Sequence, residues 1–223
     1  MAWISVLGDS LSTYEGWQPP DYAVFYAGLN LARAKMSSVN DIWWMRLIRK
    51  LGGDFCANSA YSGSRVSGGE FPAACCQERI SALRRGSIDP ELILVYIGFN
   101  DFGYGVPLKR KHFWKKDYSS FEDSYMLMLN RLKTTYPDST VLCGTLIKGI
   151  YEDCVCPEYL GGTALSEYNR IIRECVRTAE CGLADLASLN IIYETLDGAH
   201  ATAAGHAQIA DAWYQCLSSY LGF

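Results

Sequence analysis

Apolar residues along this chain keep two spacings, and the switch between them marks the elements. Residues 2 to 7 form a short apolar run that stops at Gly8-Asp9-Ser10, which predicts a buried strand with a sharp turn at its carboxyl end. Residues 11 to 37, rich in Tyr, Trp, Phe, Gly and Pro, keep no period and predict a loop excursion over that end of the sheet. Asn40 is then expected to cap a helix with Trp44, Leu47, Ile48 and Leu51 at i, i+3, i+4 and i+7, stopped by Gly52-Gly53. Phe55-Cys56-Ala57 predicts a second strand, and a helix follows near residues 75 to 85. The uninterrupted run from 92 to 97 reads as a strand buried on both faces.

A basic and aromatic loop is expected over 103 to 118. Residues 121 to 136 predict a helix with Phe121, Tyr125, Leu129 and Leu132 inward. A strand over 140 to 145 and a helix from Thr163, with Leu165, Tyr168, Ile172, Cys175 and Val176 on one side, come next. A brief strand over 183 to 186 and a closing helix over about 202 to 221, burying Ile209, Trp213 and Leu217, complete the pattern. Five strands alternating with helices predict an α/β fold: a parallel five-stranded sheet with right-handed crossovers and helices on both faces. The length of 223 residues, 49% of them hydrophobic, suits one core and a single domain over 1 to 223.

Four polar clusters follow predicted strands and so fall on one edge of that sheet, where open parallel sheets bind ligands. Ser10 follows the first strand, Gly63 the second, Asn100 the third, and Asp197-Gly198-Ala199-His200 the fifth. Gly-Asp-Ser alone is ordinary turn chemistry. Acyl transfer, however, needs a nucleophile, a base, a carboxylate that fixes the base's tautomer, and donors aimed at the oxyanion. Ser10, His200 and Asp197 offer the first three, and the Ser10 and Gly63 amides with the Asn100 side chain offer the donors.

Gly8-Asp9-Ser10-Leu11, the glycine of Ser62-Gly63-Ser64, Gly98-x-Asn100-Asp101 and Asp197-x-x-His200 resemble the four ordered blocks of the SGNH (GDSL) hydrolases. The resemblance implies a three-layer α/β/α sandwich, related to the flavodoxin-like arrangement, and a serine esterase, lipase, thioesterase or carbohydrate deacetylase. It implies Ser10 as nucleophile, His200 as base, Asp197 as its orienter, and Ser10, Gly63 and Asn100 as the oxyanion hole. Ala201 departs from the family, many members having proline after the histidine, and the segments 11 to 37 and 103 to 118 exceed those of compact members.

Charge narrows the partners. A balance of 20 basic against 24 acidic residues lacks the positive excess that nucleic-acid binding requires. No apolar run approaches a membrane span, and the first strand starts without a leader, so a cytosolic chain is expected. Nine cysteines, an odd number spread over predicted elements, fit reduced thiols better than a disulfide framework, and Cys154-Val155-Cys156 lacks zinc-site spacing. No cofactor is expected. Three other readings stay open. Asp9, Asp101 and Asp197 could form an acidic metal cluster; Ser10, Ser12 and Thr13 with Tyr14 and Trp17 could imitate a flavodoxin's flavin site; and the aromatic loops could make a carbohydrate-binding domain without catalysis.

His206, inside the last predicted helix, is read as a packing or capping histidine, and His112 as part of a solvated basic loop. Trp17, Arg65, Tyr104 and Trp114 are the candidate substrate contacts. Aromatic rings interspersed with polar residues suit a sugar-like alcohol better than a long alkyl chain, so the expected reaction is release of a small acyl group, acetyl first. Longer-chain lipase, lysophospholipase or thioesterase chemistry is the alternative.

Overall fold

The computed structural model describes residues 2–111, 117–147 and 162–221, the side chains of 218–221 excepted. Its strands are Trp3–Gly8 (β1), Asp54–Asn58 (β2), Leu92–Tyr96 (β3), Thr140–Gly144 (β4) and Gly182–Ala184 (β5). All pair in parallel, in the order β2-β1-β3-β4-β5. Its α-helices are Leu29–Arg33 (α1), Trp43–Lys50 (α2), Gln77–Ser81 (α3), Phe99–Gly103 (α4), Phe121–Thr135 (α5), Leu165–Thr178 (α6) and Ala203–Leu221 (α7).

Strand β3 sits at the centre with Ile93 to Tyr96 all buried, as its unbroken apolar run requires. Helices α2 and α7 pack together over one face of the sheet, and α3, α5 and α6 group over the other, giving the three layers. The first helix pair is locked by aromatics. Trp43 and Trp213 stack at 5.4 Å and 13°, and Tyr96 meets each of them edge-on. Such ring pairs add about 0.5–1.5 kcal/mol each beyond the area they bury.

Three local expectations need correction. Asn40 does not cap α2; it lies in a 3-10 turn, Val39–Asp41, where the Ser38 hydroxyl accepts from the Asn40 amide and the Asp41 carboxylate accepts from the Ser38 amide. Ser38-x-x-Asp41 closes both ends of a reciprocal cap, a stronger solution than a lone asparagine. The predicted helix over 75 to 85 shrinks to Gln77–Ser81. The excursion over 11 to 37, expected to be loop throughout, contains α1, and α4 occupies Phe99–Gly103, ahead of the loop expected from 103.

Register delivers the polar blocks to one edge. Ile4 to Gly8 pair in step with Leu92 to Tyr96, so the turn after β1 and the turn after β3 leave the sheet side by side. On the other flank β1 pairs with β2, with Val6 opposite Asn58 after a one-residue irregularity. Among the described residues no helix is long and apolar enough to cross a membrane.

Candidate active site

The turn after β1 is held from several sides. Asp9 caps a 3-10 turn over Ser10–Ser12, its Oδ1 accepting from the Leu11 amide at 3.1 Å. Both adjacent indoles of α2 reach this turn: Trp43 Nε1 donates to Ser12 Oγ at 3.1 Å and Trp44 Nε1 to the Ser12 carbonyl at 2.9 Å. Asn58, at the end of β2, donates to the same carbonyl at 2.8 Å. Glycine is required at position 8, since a Cβ there would lie 2.4 Å from Ser12 Oγ.

Beneath the turn, the buried Arg79 guanidinium donates to the Gly8 carbonyl at 2.8 Å, to the Ser59 carbonyl, and to the Pro72 carbonyl at 2.6 Å. It therefore ties the turn after β1 to the turn after β2. Burial pulls its pKa down to about 10, still well above neutral pH, and the rings of Tyr22 and Tyr61 lie 5.7 and 5.9 Å from it. Burial also pushes the Asp9 carboxyl up to about 7, opposed by the Leu11 amide and reinforced by Asp101.

The loop before α7 folds on its own carboxylate. Asp197 Oδ1 accepts from the amides of Ala199 at 3.1 Å and His200 at 2.8 Å, an Asx turn, while Oδ2 faces His200 Nδ1 at 2.8 Å. Burial opposes ionisation of Asp197, but the His200 amide, the His200 ring and the Ala199 amide outweigh it and hold the carboxyl below its ordinary value. An ionised carboxylate can only accept, so in the neutral imidazole Nδ1 carries the proton and Nε2 presents a lone pair. His200 Nε2 lies 3.0 Å from Ser10 Oγ. Hydroxyl, imidazole and carboxylate thus stand in the order that nucleophilic acyl transfer uses.

The turns carrying Gly63 and Asn100 are joined to each other. Gly63 takes φ 77°, a conformation that favours glycine, and no atom lies within 4 Å of where its Cβ would project. Asn100, near the start of α4, donates through Nδ2 to the Ser64 carbonyl at 2.8 Å, which brings the amide group against the Gly63 turn and leaves its second N–H for another acceptor. The neighbouring Asp101 fastens the same turn. Its two oxygens accept from the amides of Val66 at 2.7 Å and Ser67 at 3.0 Å, and burial raises its pKa despite them. Both aspartates flanking the site residues therefore hold turns. Among the described residues no group of three or more His, Cys, Asp or Glu side chains could hold a metal ion.

His206 is fully buried edge-on to Tyr26 at 4.8 Å, with no hydrogen-bond partner for either ring nitrogen. Burial pushes its pKa down to about 3, so it packs as a neutral ring. Of the candidate substrate contacts, Arg65 and Tyr104 meet each other, the guanidinium 5.7 Å from the ring and both side chains exposed. Arg65 leaves the Gly63 turn and Tyr104 ends α4, so the pair spans the turns that carry Gly63 and Asn100. Trp17 lies elsewhere. Its ring packs on Trp44 and Phe55 and lines a cleft of about 660 Å³ along β2, and none of Ser10, His200 or Asn100 lines that cleft. Trp114, like His112, Cys154 and Cys156, lies outside the described residues. A contact the sequence did not specify is made by Phe25, whose ring lies flat on the His200 imidazole with centroids 3.4 Å apart and planes 6° off parallel.

A family model described as GDSL-like Lipase/Acylhydrolase matches residues 2–154, a span that holds Ser10, Gly63 and Asn100 and stops before Asp197 and His200. No curated protein matches the chain. Among solved structures, a GDSL-like lipase from Bacteroides uniformis superposes with a TM-score of 0.75 at 23% identity, over 98% of this chain and 96% of that one. A family 3 carbohydrate esterase of Clostridium thermocellum gives 0.62 at 17% identity, over 99% and 96%. A family 2 carbohydrate esterase of Corynascus thermopiles, joined to a carbohydrate-binding domain, gives 0.61 at 15% identity, over 100% and 67%. At these identities the likenesses concern the fold, which is that of the SGNH hydrolases; the match to more than half of the sequence places the chain in the GDSL-like lipase/acylhydrolase family of ester hydrolases.

Proposed function

We propose that this protein is a single-domain serine esterase that removes a small acyl group, acetyl first, from a polar or carbohydrate-like alcohol by way of an acyl-enzyme. The observation that carries the reading is the 3.0 Å approach of Ser10 Oγ to His200 Nε2, with Asp197 behind the ring. Ser10 Oγ attacks the ester carbonyl carbon as its proton passes to His200 Nε2, and the imidazolium is held by the Asp197 carboxylate. Negative charge gathers on the former carbonyl oxygen, where the amides of Ser10 and Gly63 and the Asn100 side chain donate to it. The intermediate collapses with cleavage of the carbon–oxygen bond, and His200 returns the proton to the departing alkoxide. Water then gives a proton to His200 as it attacks the acyl-enzyme carbonyl, and the second intermediate collapses with cleavage of the bond to Ser10 Oγ, which takes the proton back from His200 as the acid leaves.

The surroundings support a polar leaving group. The exposed Arg65–Tyr104 pair beside the donor turns offers a guanidinium and an aromatic face, which suits hydroxylated or charged leaving groups more than a long alkyl chain. Two of the fold's neighbours are carbohydrate esterases, which supports the same direction. The described cysteines are all free thiols, in keeping with the reducing cytoplasm we assign to it.

Two experiments test the reading. A serine-directed phosphonate should label the wild-type protein at Ser10 and leave Ser10→Ala untouched; absence of labelling would remove the enzyme reading. Rates on nitrophenyl esters of increasing chain length, followed by acetylated sugars, test the substrate. A steady rise in kcat/KM toward long acyl chains without acetate release from sugars would move the protein to the lipase or thioesterase branch.

A further inference from the structure

We infer that Phe25 is a positioning residue for the base, a face-on support that fixes the plane of the His200 ring; this rests on the reading of His200 as base. The two rings are 3.4 Å apart and 6° from parallel, so one whole face of the imidazole is covered. The support is itself anchored to the nucleophile. The Phe25 amide donates to Thr13 Oγ1 at 2.9 Å, and Thr13 Oγ1 donates to the Ser10 carbonyl at 2.9 Å. The Phe25 carbonyl accepts from Asn30 Nδ2 at 3.0 Å and from the Ala27 amide at 2.9 Å. Next in the chain, Tyr26 meets Phe25 edge-on at 5.0 Å and donates its hydroxyl to the Ala201 carbonyl at 2.9 Å, which fastens this loop to the residue after His200.

The geometry explains a need that Asp197 alone does not meet. A single hydrogen bond at Nδ1 restrains one atom of the imidazole and leaves rotation about that bond open. A flat ring against the face removes that rotation and excludes water from that side. Nε2 is then held toward Ser10 Oγ through both proton transfers. Misplacement of a reacting group by about 1 Å can lower a rate about a hundredfold.

Three variants separate this role from packing and from substrate binding. Phe25→Ala should lower kcat on a nitrophenyl acetate about tenfold to a hundredfold with KM within about twofold of wild type. It should lower the inactivation rate by a small phosphonate, too small to need a substrate wall, by the same factor. Phe25→Tyr, which keeps the flat face, should restore both rates, whereas Phe25→Leu, which fills volume without a plane, should not. The Tyr and Leu variants carry the test should the alanine variant fail to fold. The inference is overturned if Phe25→Ala leaves kcat and inactivation unchanged, if only KM rises, or if leucine restores activity as well as tyrosine. A wild-type protein inert to the phosphonate would instead overturn the proposed function, and this inference with it.

Discussion

Replacing Asp197 by asparagine should inactivate the protein while leaving its fold almost untouched, and the reason lies in which oxygen each neighbour uses. Oδ1 accepts two backbone amides, from Ala199 at 3.1 Å and His200 at 2.8 Å, while Oδ2 faces the imidazole. An asparagine can put its single oxygen in only one of these places. At Oδ1 it keeps both backbone bonds; flipped, it turns an NH₂ toward two N–H groups and forfeits them. At about 1 kcal/mol per bond the unflipped orientation is favoured by about 2 kcal/mol, or roughly thirtyfold. The amide NH₂ then points at His200 Nδ1, which must present its lone pair, so the neutral ring carries its proton on Nε2. That proton faces Ser10 Oγ, and the ring can no longer accept from it. For a triad held in the wrong tautomer the expected loss in kcat is about 10⁴-fold. Stopped-flow or steady-state hydrolysis of a nitrophenyl acetate measures it, with phosphonate labelling as a second readout. Thermal unfolding supplies the control. The asparagine variant should melt within about 2 °C of wild type, whereas Asp197→Ala, losing both backbone bonds, should melt about 4–8 °C lower. An asparagine variant that retains a tenth of wild-type kcat would refute the assignment of Asp197, and one as unstable as the alanine variant would refute the orientation argument.

Ser10→Ala should abolish hydrolysis by about 10⁴- to 10⁶-fold without unfolding the protein, and His200→Ala should match it, whereas substitution of His206 should alter stability alone; retention of a tenth of the rate in the serine variant would sink the nucleophile. Asn100→Ala should keep phosphonate labelling but slow turnover about 10²- to 10³-fold, and an unchanged kcat would remove its side chain from the oxyanion site. Buried His206 stays neutral down to about 3 although its ordinary value is 6.5, so the unfolded chain binds the extra proton and stability falls with pH through that window, by about 1.4 kcal/mol per unit. Asp9, raised from 3.8 to about 7, binds its proton first in the folded state and adds stability over the same fall. Denaturant titrations between pH 6.5 and 4 should therefore show His206→Leu gaining stability toward acid relative to wild type and Asp9→Asn losing it, and parallel slopes in all three proteins would refute the burial of both groups.

How much of this was legible in the sequence depended on how far each constraint reaches along the chain. The strand ending at Gly8 and the run over 92 to 97 were readable because a parallel strand covered on both faces reads as a near-continuous apolar run, broken in the first only by Ser5, whose buried hydroxyl donates to the Leu83 carbonyl. Asp197 and His200 were readable for a related reason: three residues and one Asx turn suffice to set a carboxylate against an imidazole. The Ser38-x-x-Asp41 cap left a signal of the same short range, in a place where the helical spacing of Trp44, Leu47 and Ile48 drew the boundary toward Asn40 instead.

Other features had no local signature. Arg79 reads as an ordinary surface arginine of a short helix, yet it is buried because three backbone carbonyls, from Gly8, Ser59 and Pro72, converge where two strands end. Trp17 and Phe25 sit in the same aperiodic segment and look interchangeable, and only the folded chain sends one to the flank of β2 and the other onto His200. Their separation follows from anchors that no spacing reveals. Thr13 Oγ1 takes the Phe25 amide, and Tyr26 reaches Ala201 across 175 residues. Aromatic content in the loops therefore indicated that rings would border the site, but hydrogen bonds to neighbouring backbone chose which ring meets His200.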